Sequence, residues 1–284
     1  MRRLLSLLAL LCSLPALAGE QLTYPLHSAD SEPEPYVVEL LRQALEHSGS
    51  GHSLRPSAKV MPQSRAQLAL EQNDQSVQLM WAMTTREREQ NLLPIRIPIY
   101  KGLIGWRVIL VREEDRDWLK SIDSLDQLKS MRVGQRADWP DTHILRSNGL
   151  QVITSQNYES LFRMLDAGRF DLFPREVVVA WDEQQRAKSQ GLELAVDPHI
   201  VLHYPSTFYF FTSRARADLA TDIQRGLEAM LADGSFDRLF EQYHGATLAQ
   251  ARLDQRRVIE LQNPDLPEQT PFARKELWYR PGAP

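Results

Sequence analysis

His199 and His203 stand four residues apart, the spacing that on a helix would turn two imidazoles toward one metal ion. Ile200-Val201-Leu202 between them favour a strand instead, and no third ligand is evident, so no metal site is expected. No glycine-rich loop is present to cradle a phosphate, and no Gly-x-Ser-x-Gly elbow to raise a nucleophilic serine. Carboxylates are plentiful, but none stands out as half of an acid–base pair, and most read as solvated helix faces. The densest polar stretch is Thr84-Thr85-Arg86-Glu87-Arg88-Glu89. It reads either as a solvated mixed-charge turn or as a place where a guanidinium fork takes a carboxylate through two parallel hydrogen bonds. Binding chemistry is therefore legible and catalytic chemistry is not, and no cofactor is expected.

The elements that hold these residues begin after an address. Arg2 and Arg3 precede an apolar run from Leu4 to Leu17, and Ala16-Leu17-Ala18 stands before Gly19. Charge, short apolar core and small residues at the cut are the order of a secretory signal peptide, expected over residues 1–18. The run is too short for a spanning helix, which needs about 20 residues. Cleavage would remove Cys12, the one cysteine of the chain, leaving no thiol for a disulfide or a metal. The expected location is the periplasm. In 284 residues, 43% hydrophobic and 25% charged, there is enough apolar material for one or two well-packed domains. The formal charge of −4 provides no basic excess to recruit nucleic acid.

Strand-like and helix-like patterns alternate. Val37, Leu40, Leu41, Ala44 and Leu45 recur at helical spacing, whereas Val77, Leu79, Trp81 and Met83 alternate as in a strand. Ile104 to Val111 and Thr207 to Thr212 read as further strands, and Leu219, Ile223, Leu227 and Met230 line one face of a long helix. This alternation predicts an α/β protein with mainly parallel sheets. A helical stretch over 248–261 and then four prolines between 264 and 281 form a tail of different character, whose Trp278 and Tyr279 suit packing against the body or a partner.

The stretch from Trp81 to Tyr100 resembles the Thr-x-x-Arg segment of the family 3 extracellular solute-binding proteins, here Thr85-Arg86-Glu87-Arg88 with Pro98 and Tyr100 following. Gly168-Arg169-Phe170-Asp171-Leu172, the strand from Pro205 to Thr212, and Asp233-Gly234-Ser235-Phe236-Asp237 are similar to later landmarks of that family, in the same order. The resemblance spans about 21–245. It implies a two-lobe periplasmic binding protein fold of type II, with a ligand cleft between lobes joined by crossing strands near Val108–Glu113 and Tyr204–Phe211. The implied division is lobe one over 19–110 and 207–245, lobe two over 111–206, and an extra tail over 246–284.

By the same resemblance, Arg88 would grip a ligand carboxylate, with Thr84 and Thr85 adding hydrogen bonds. Glu176 would face a ligand amine, and Thr142 would help hold the carboxylate from a helix start. Each has a plainer alternative: Arg88 in a solvated turn, Glu176 as a helix-start acid, Thr142 as a cap. Trp81 serves as either cleft wall or core, as do Tyr24 and Tyr36. Thr84-Thr85 is compressed relative to the family, Ala137-Asp138-Trp139-Pro140 replaces its Gly-Thr, and Ser28–Pro35 is acidic where the family has an aromatic loop. The implied function is capture of a small polar solute, an amino acid or derivative, by a monomer that delivers it to an inner-membrane ABC permease. A sensing role toward a membrane partner, favoured by Phe272, Trp278 and Tyr279 in the tail, is the alternative. A dehydratase-like enzyme using Glu176 is the third reading.

Overall fold

The computed structural model describes residues 19–26 and 35–282. The signal peptide expected over 1–18 and nearly all of the acidic stretch over 28–35 lie outside the described residues. The chain runs β1 (Gln21–Leu26), α1 (Pro35–Ser48), β2 (Ser53–Val60), α2 (Gln63–Glu71), β3 (Leu79–Met83), α3 (Arg86–Asn91) and β4 (Leu93–Ile95). It continues through β5 (Trp106–Arg112), α4 (Leu125–Leu128), β6 (Arg132–Arg136), α5 (Pro140–Ser147), β7 (Gln151–Ser155), α6 (Tyr158–Asp166), β8 (Phe173–Glu176), α7 (Ala180–Ser189), β9 (Leu194–Val196) and β10 (Ile200–His203). It ends with β11 (Phe208–Thr212), α8 (Ala217–Asp233), α9 (Ser235–Ala251) and β12 (Arg257–Glu260). Among the described residues no helix is long and apolar enough to cross a membrane.

The first lobe is built on β11, which lies between β3 and β4 and runs antiparallel to both, so that Phe210 faces Trp81 on one side and Ile95 on the other. The parallel pair β1–β2 stands beside it. Helix α1 buries Tyr36, Val37, Leu40, Leu41, Ala44 and Leu45, the stripe its spacing predicts, against the Leu219, Ile223, Leu227 and Met230 stripe of α8. The helices meet closely at Gly226, where a Cβ would lie 1.7 Å from the Ala44 carbonyl oxygen.

The second lobe is built on β5. Its Val108, Ile109, Leu110 and Val111 are all fully buried, as expected for a strand covered on both faces. Strand β5 pairs antiparallel with β8, β9 and β10, while β12 adds to β10 in parallel. Strands β6 and β7 form a parallel pair joined to the rest through Gly134 and Leu172. The sheets are therefore mixed, not mainly parallel.

Two expectations are corrected. Residues Val108–Glu113 do not form the first crossing: β5 belongs to the second lobe from Trp106 onward, and the passage lies ahead of it. There the Tyr204 amide donates to the Gly105 carbonyl at 3.1 Å, and a Cβ on Gly105 would lie 2.2 Å from the Tyr204 oxygen, so only glycine lets the two passages touch. The helix expected over 248–261 ends at Ala251, and the chain returns to the second lobe as strand β12. The polar Arg256 ends the turn between them by donating to the carbonyls of Ala251, Asp197 and Ile200.

Candidate functional site

Between the lobes lies a cleft of about 1050 Å³. Its first-lobe wall is formed by Gln63, Trp81, Met83, Tyr100, Ile104 and Phe208 and carries no charge among the described lining residues. Its second-lobe wall carries every charge: Arg136, Asp141, Arg175, Glu176 and Glu183 inside, with Glu159, Arg163, Asp182 and Arg186 toward the rim. Trp139 and Tyr158 stand among them.

The polar centre grows from two adjacent strands. In the β5–β8 register Arg107 is the partner of Glu176 and Val108 the partner of Arg175. Arg107, wholly buried, lies 2.7 Å from Glu176 and 2.7 Å from Asp141 of α5. These contacts are close but off-line, and the guanidinium nitrogens find no aligned hydrogen bond. Arg175 holds Glu183 of α7 through two bonds, 2.7 and 2.6 Å, and approaches Glu176 at 3.1 Å. Its guanidinium lies over the rings of Trp139 at 4.6 Å, Phe173 at 5.0 Å and Tyr158 at 5.7 Å. The Tyr204 hydroxyl donates to Asp141 and the Tyr158 hydroxyl to Glu183.

Two guanidiniums thus serve three carboxylates. Buried charge needs such partners, because desolvation of an unpaired ion costs several kcal/mol. Burial raises the Glu176 carboxyl, but the attraction of Arg107 and then Arg175 outweighs it and holds the group at about 2. Burial lowers Arg107, and Asp141 and Glu176 more than restore it, so the guanidinium stays charged. Burial pushes Tyr204 well up, keeping its phenol protonated and able to donate. The contacting cluster therefore sets three carboxyl groups against two guanidiniums.

Of the residues singled out in the sequence, the structure brings Trp81 and Glu176 to the cleft. Trp81 is also core, packed against Tyr24 at 5.8 Å and Phe210 at 6.5 Å. Arg88, Thr84, Thr85 and Thr142 are not among the lining residues. Arg88 is turned inward, where it donates to the Met83 carbonyl, to Gln67 at 3.0 Å and to Gln63 at 3.4 Å. Burial lowers its pKa to about 10. Thr85 caps α3 by accepting from the Arg88 amide, Thr84 donates to buried Glu89, and Thr142 of α5 donates to the Arg136 carbonyl at the end of β6. Tyr24 and Tyr36 are core, Tyr36 donating to the Ile99 carbonyl. His199 and His203 pair with Asp117 and Glu260, and no group of metal-ligating side chains occurs among the described residues.

Arg107, Asp141, Arg175 and Glu183 escaped the sequence reading. One signal was available: Arg107 is the lone charge inside the apolar run Ile104–Val111, and a charge there must find a buried partner.

No family model matches the chain, and no curated protein matches it. Solved structures do. An ancestral arginine-binding protein bound to arginine has a TM-score of 0.59 at 17% identity, over 80% of this chain and 99% of that one. The probable amino-acid ABC transporter extracellular-binding protein of Bacillus subtilis has a TM-score of 0.60 at 19% identity, over 80% and 98%. A histidine kinase sensor domain with similarity to periplasmic binding proteins has a TM-score of 0.58 at 16% identity, over 81% and 97%. The chain has the two-lobe α/β fold of the type II periplasmic binding proteins. Its nearly complete coverage of these neighbours leaves about a fifth of its own length beyond them.

Proposed function

We propose that the protein is a periplasmic solute-binding protein that encloses a small polar solute, an amino acid or derivative, in the interlobe cleft. The observation that carries this reading is the unequal pair of walls. A buried ionic cluster with one carboxylate in excess faces an uncharged aromatic wall, which suits a solute with a cationic group and an apolar body. Glu176 and Trp81 are the ligand-facing residues, with Asp141, Arg175, Trp139 and Tyr158 beside them. Arg88, Thr84, Thr85 and Thr142 shape the walls from behind. No covalent chemistry is invoked: closure follows from a ligand that binds the closed arrangement more tightly.

An enzymatic reading would use Glu176 as a general acid. Arg107 and Arg175 beside that carboxyl hold it below the usual carboxylate range, which favours pairing with a cationic ligand group over proton donation. The loaded protein delivers its solute to an inner-membrane ABC permease, with a membrane sensor as the alternative recipient. The similarity to a sensor domain keeps both open at the level of the fold.

A thermal-shift panel of amino acids, polyamines, small peptides and organic acids tests the reading. Ligand at 100 times its Kd adds about 2.7 kcal/mol, an easily seen shift. A shift for one cationic class, lost in a folded Glu176→Gln variant, is the expected result. A flat panel from folded protein would overturn it.

A further inference from the structure

We infer that the segment 261–266 is a strap that bridges the two lobes and limits how far the cleft opens. This inference is independent of ligand capture. Two passages join the lobes in the interior, but the chain crosses twice more after α9. It enters the second lobe as β12, then leaves it again within a few residues. The Leu261 amide donates to the His203 carbonyl at 2.8 Å, completing the β10–β12 edge. Gln262 is then clasped by Asn148 after α5: the Asn148 amide donates to the Gln262 carbonyl at 2.7 Å, and the Gln262 amide donates back at 2.9 Å.

The next three residues span the gap. The Asn263 side chain donates to the carbonyl of Pro205, in the connector between β10 and β11, at 2.9 Å. The Asp265 carbonyl accepts the Arg86 amide of the first lobe at 3.0 Å, and the Arg86 guanidinium donates to the Pro264 carbonyl. The Asp265 carboxylate reaches back to His143 of the second lobe at 2.6 Å. Asp265 therefore touches both lobes at once, beside α3 on one side and α5 on the other. Beyond it the chain stays on the first lobe, where Arg274 pairs with Glu228 and the Tyr279 amide donates to Lys101.

Reach makes this a limit on motion and not only a contact. Between Gln262, fixed to one lobe, and Asp265, fixed to the other, an extended chain covers only roughly 10 Å. An internal bond from the Asp265 amide to Asn263 folds this length further, at 3.0 Å. Arg86 is the first residue of α3, whose amide has no acceptor within its own helix. The strap supplies that acceptor. The His143–Asp265 pair is exposed and weak on its own, so the backbone bonds carry the link.

The test measures the distance across the cleft mouth by double electron–electron resonance in unliganded protein. Labels are placed at Leu68→Cys on α2 and Lys188→Cys on α7, both exposed, in a Cys12→Ser background. The expected result is one narrow distance in the strapped protein, and a broader distribution with a longer component in Arg86→Pro/Asn148→Ala, which removes the amide and guanidinium bonds to the strap on one lobe and the Asn148 clasp on the other, proline being well tolerated at the first position of α3. Equal distributions in the two would overturn the inference. A second measurement needs no strap substitution: hydrogen exchange at the Arg86 amide is expected to be slow. Exchange as fast as at an open helix start would also overturn it.

Discussion

Arg107 and Glu176 are partners twice over: they are register partners across the β5–β8 pairing, and their side chains meet at 2.7 Å beneath the cleft floor. A backbone pairing thus fixes a wholly buried guanidinium against a carboxylate of the cleft lining. Replacing Arg107 by Leu leaves Asp141 without its ion-pair partner and Glu176 with Arg175 alone. The expected loss is about 3–5 kcal/mol of unfolding free energy, the cost of breaking a buried pair from one side. Urea denaturation of the variant measures it.

Acid should weaken the same cluster. The folded-state Glu176 carboxyl titrates at about 2, below its unfolded value, so its contribution is present above the usual carboxylate range and lost as pH falls through 4 toward 2. Melting curves between pH 5 and pH 2 should show a flatter fall for Glu176→Gln than for the parent protein.

His244 sets a second, milder acid window. It is buried among Tyr36, Tyr100 and Phe240, and burial holds it at about 4. The unfolded chain takes up this proton first as pH falls, so stability declines between pH 6.5 and pH 4. A His244→Leu variant should lose that slope while keeping the one below pH 4. An unchanged slope between pH 6.5 and pH 4 would place the proton uptake elsewhere.

Arg88 separates support from contact. Its inward bonds to Met83, Gln67 and Gln63 brace the wall behind Trp81. Arg88→Met should cost about 1–3 kcal/mol by orphaning a buried carbonyl, yet leave a measurable ligand shift. A variant of full stability that no longer responds to ligand would show instead that Arg88 reaches into the cleft.

Gly226 is the tightest point between helices. A methyl group there collides with the Ala44 backbone at 1.7 Å, and backbone cannot swing aside as a side chain would. Gly226→Ala should destabilise by about 1–3 kcal/mol despite the better helix propensity of alanine. Calorimetry of the single variant checks the sign.

Much of the architecture was legible because apolar spacing encodes it. The stripes of α1 and α8 and the apolar centre of β5 occur where their periods place them. Strand direction was not legible, because spacing along one strand says nothing about its neighbour, and so the antiparallel β11 went unread. Strand β12 was hidden for the same reason: Arg257–Glu260 is mostly exposed, and its edge position on β10 needs no apolar pattern. Glu176 and Trp81, singled out through motif likeness, lie along the cleft. Arg175, Asp141 and Glu183 were not, since each looks like an ordinary surface charge until partners from β5, α5 and α7 converge. Arg88 faces inward because the same guanidinium fork that suits a ligand carboxylate also suits a backbone carbonyl and two amide side chains.

The unequal walls of the cleft also divide the kinetics of any solute that enters. A charged wall on one lobe attracts an ion from a distance, and salt screens that pull over about 8–10 Å. An aromatic wall on the other lobe acts only on contact, by expelling water as the gap narrows, and added salt barely touches it. Arrival should therefore slow with ionic strength while departure keeps its pace, so that in stopped-flow records the two lobes can be told apart by the rate each one governs.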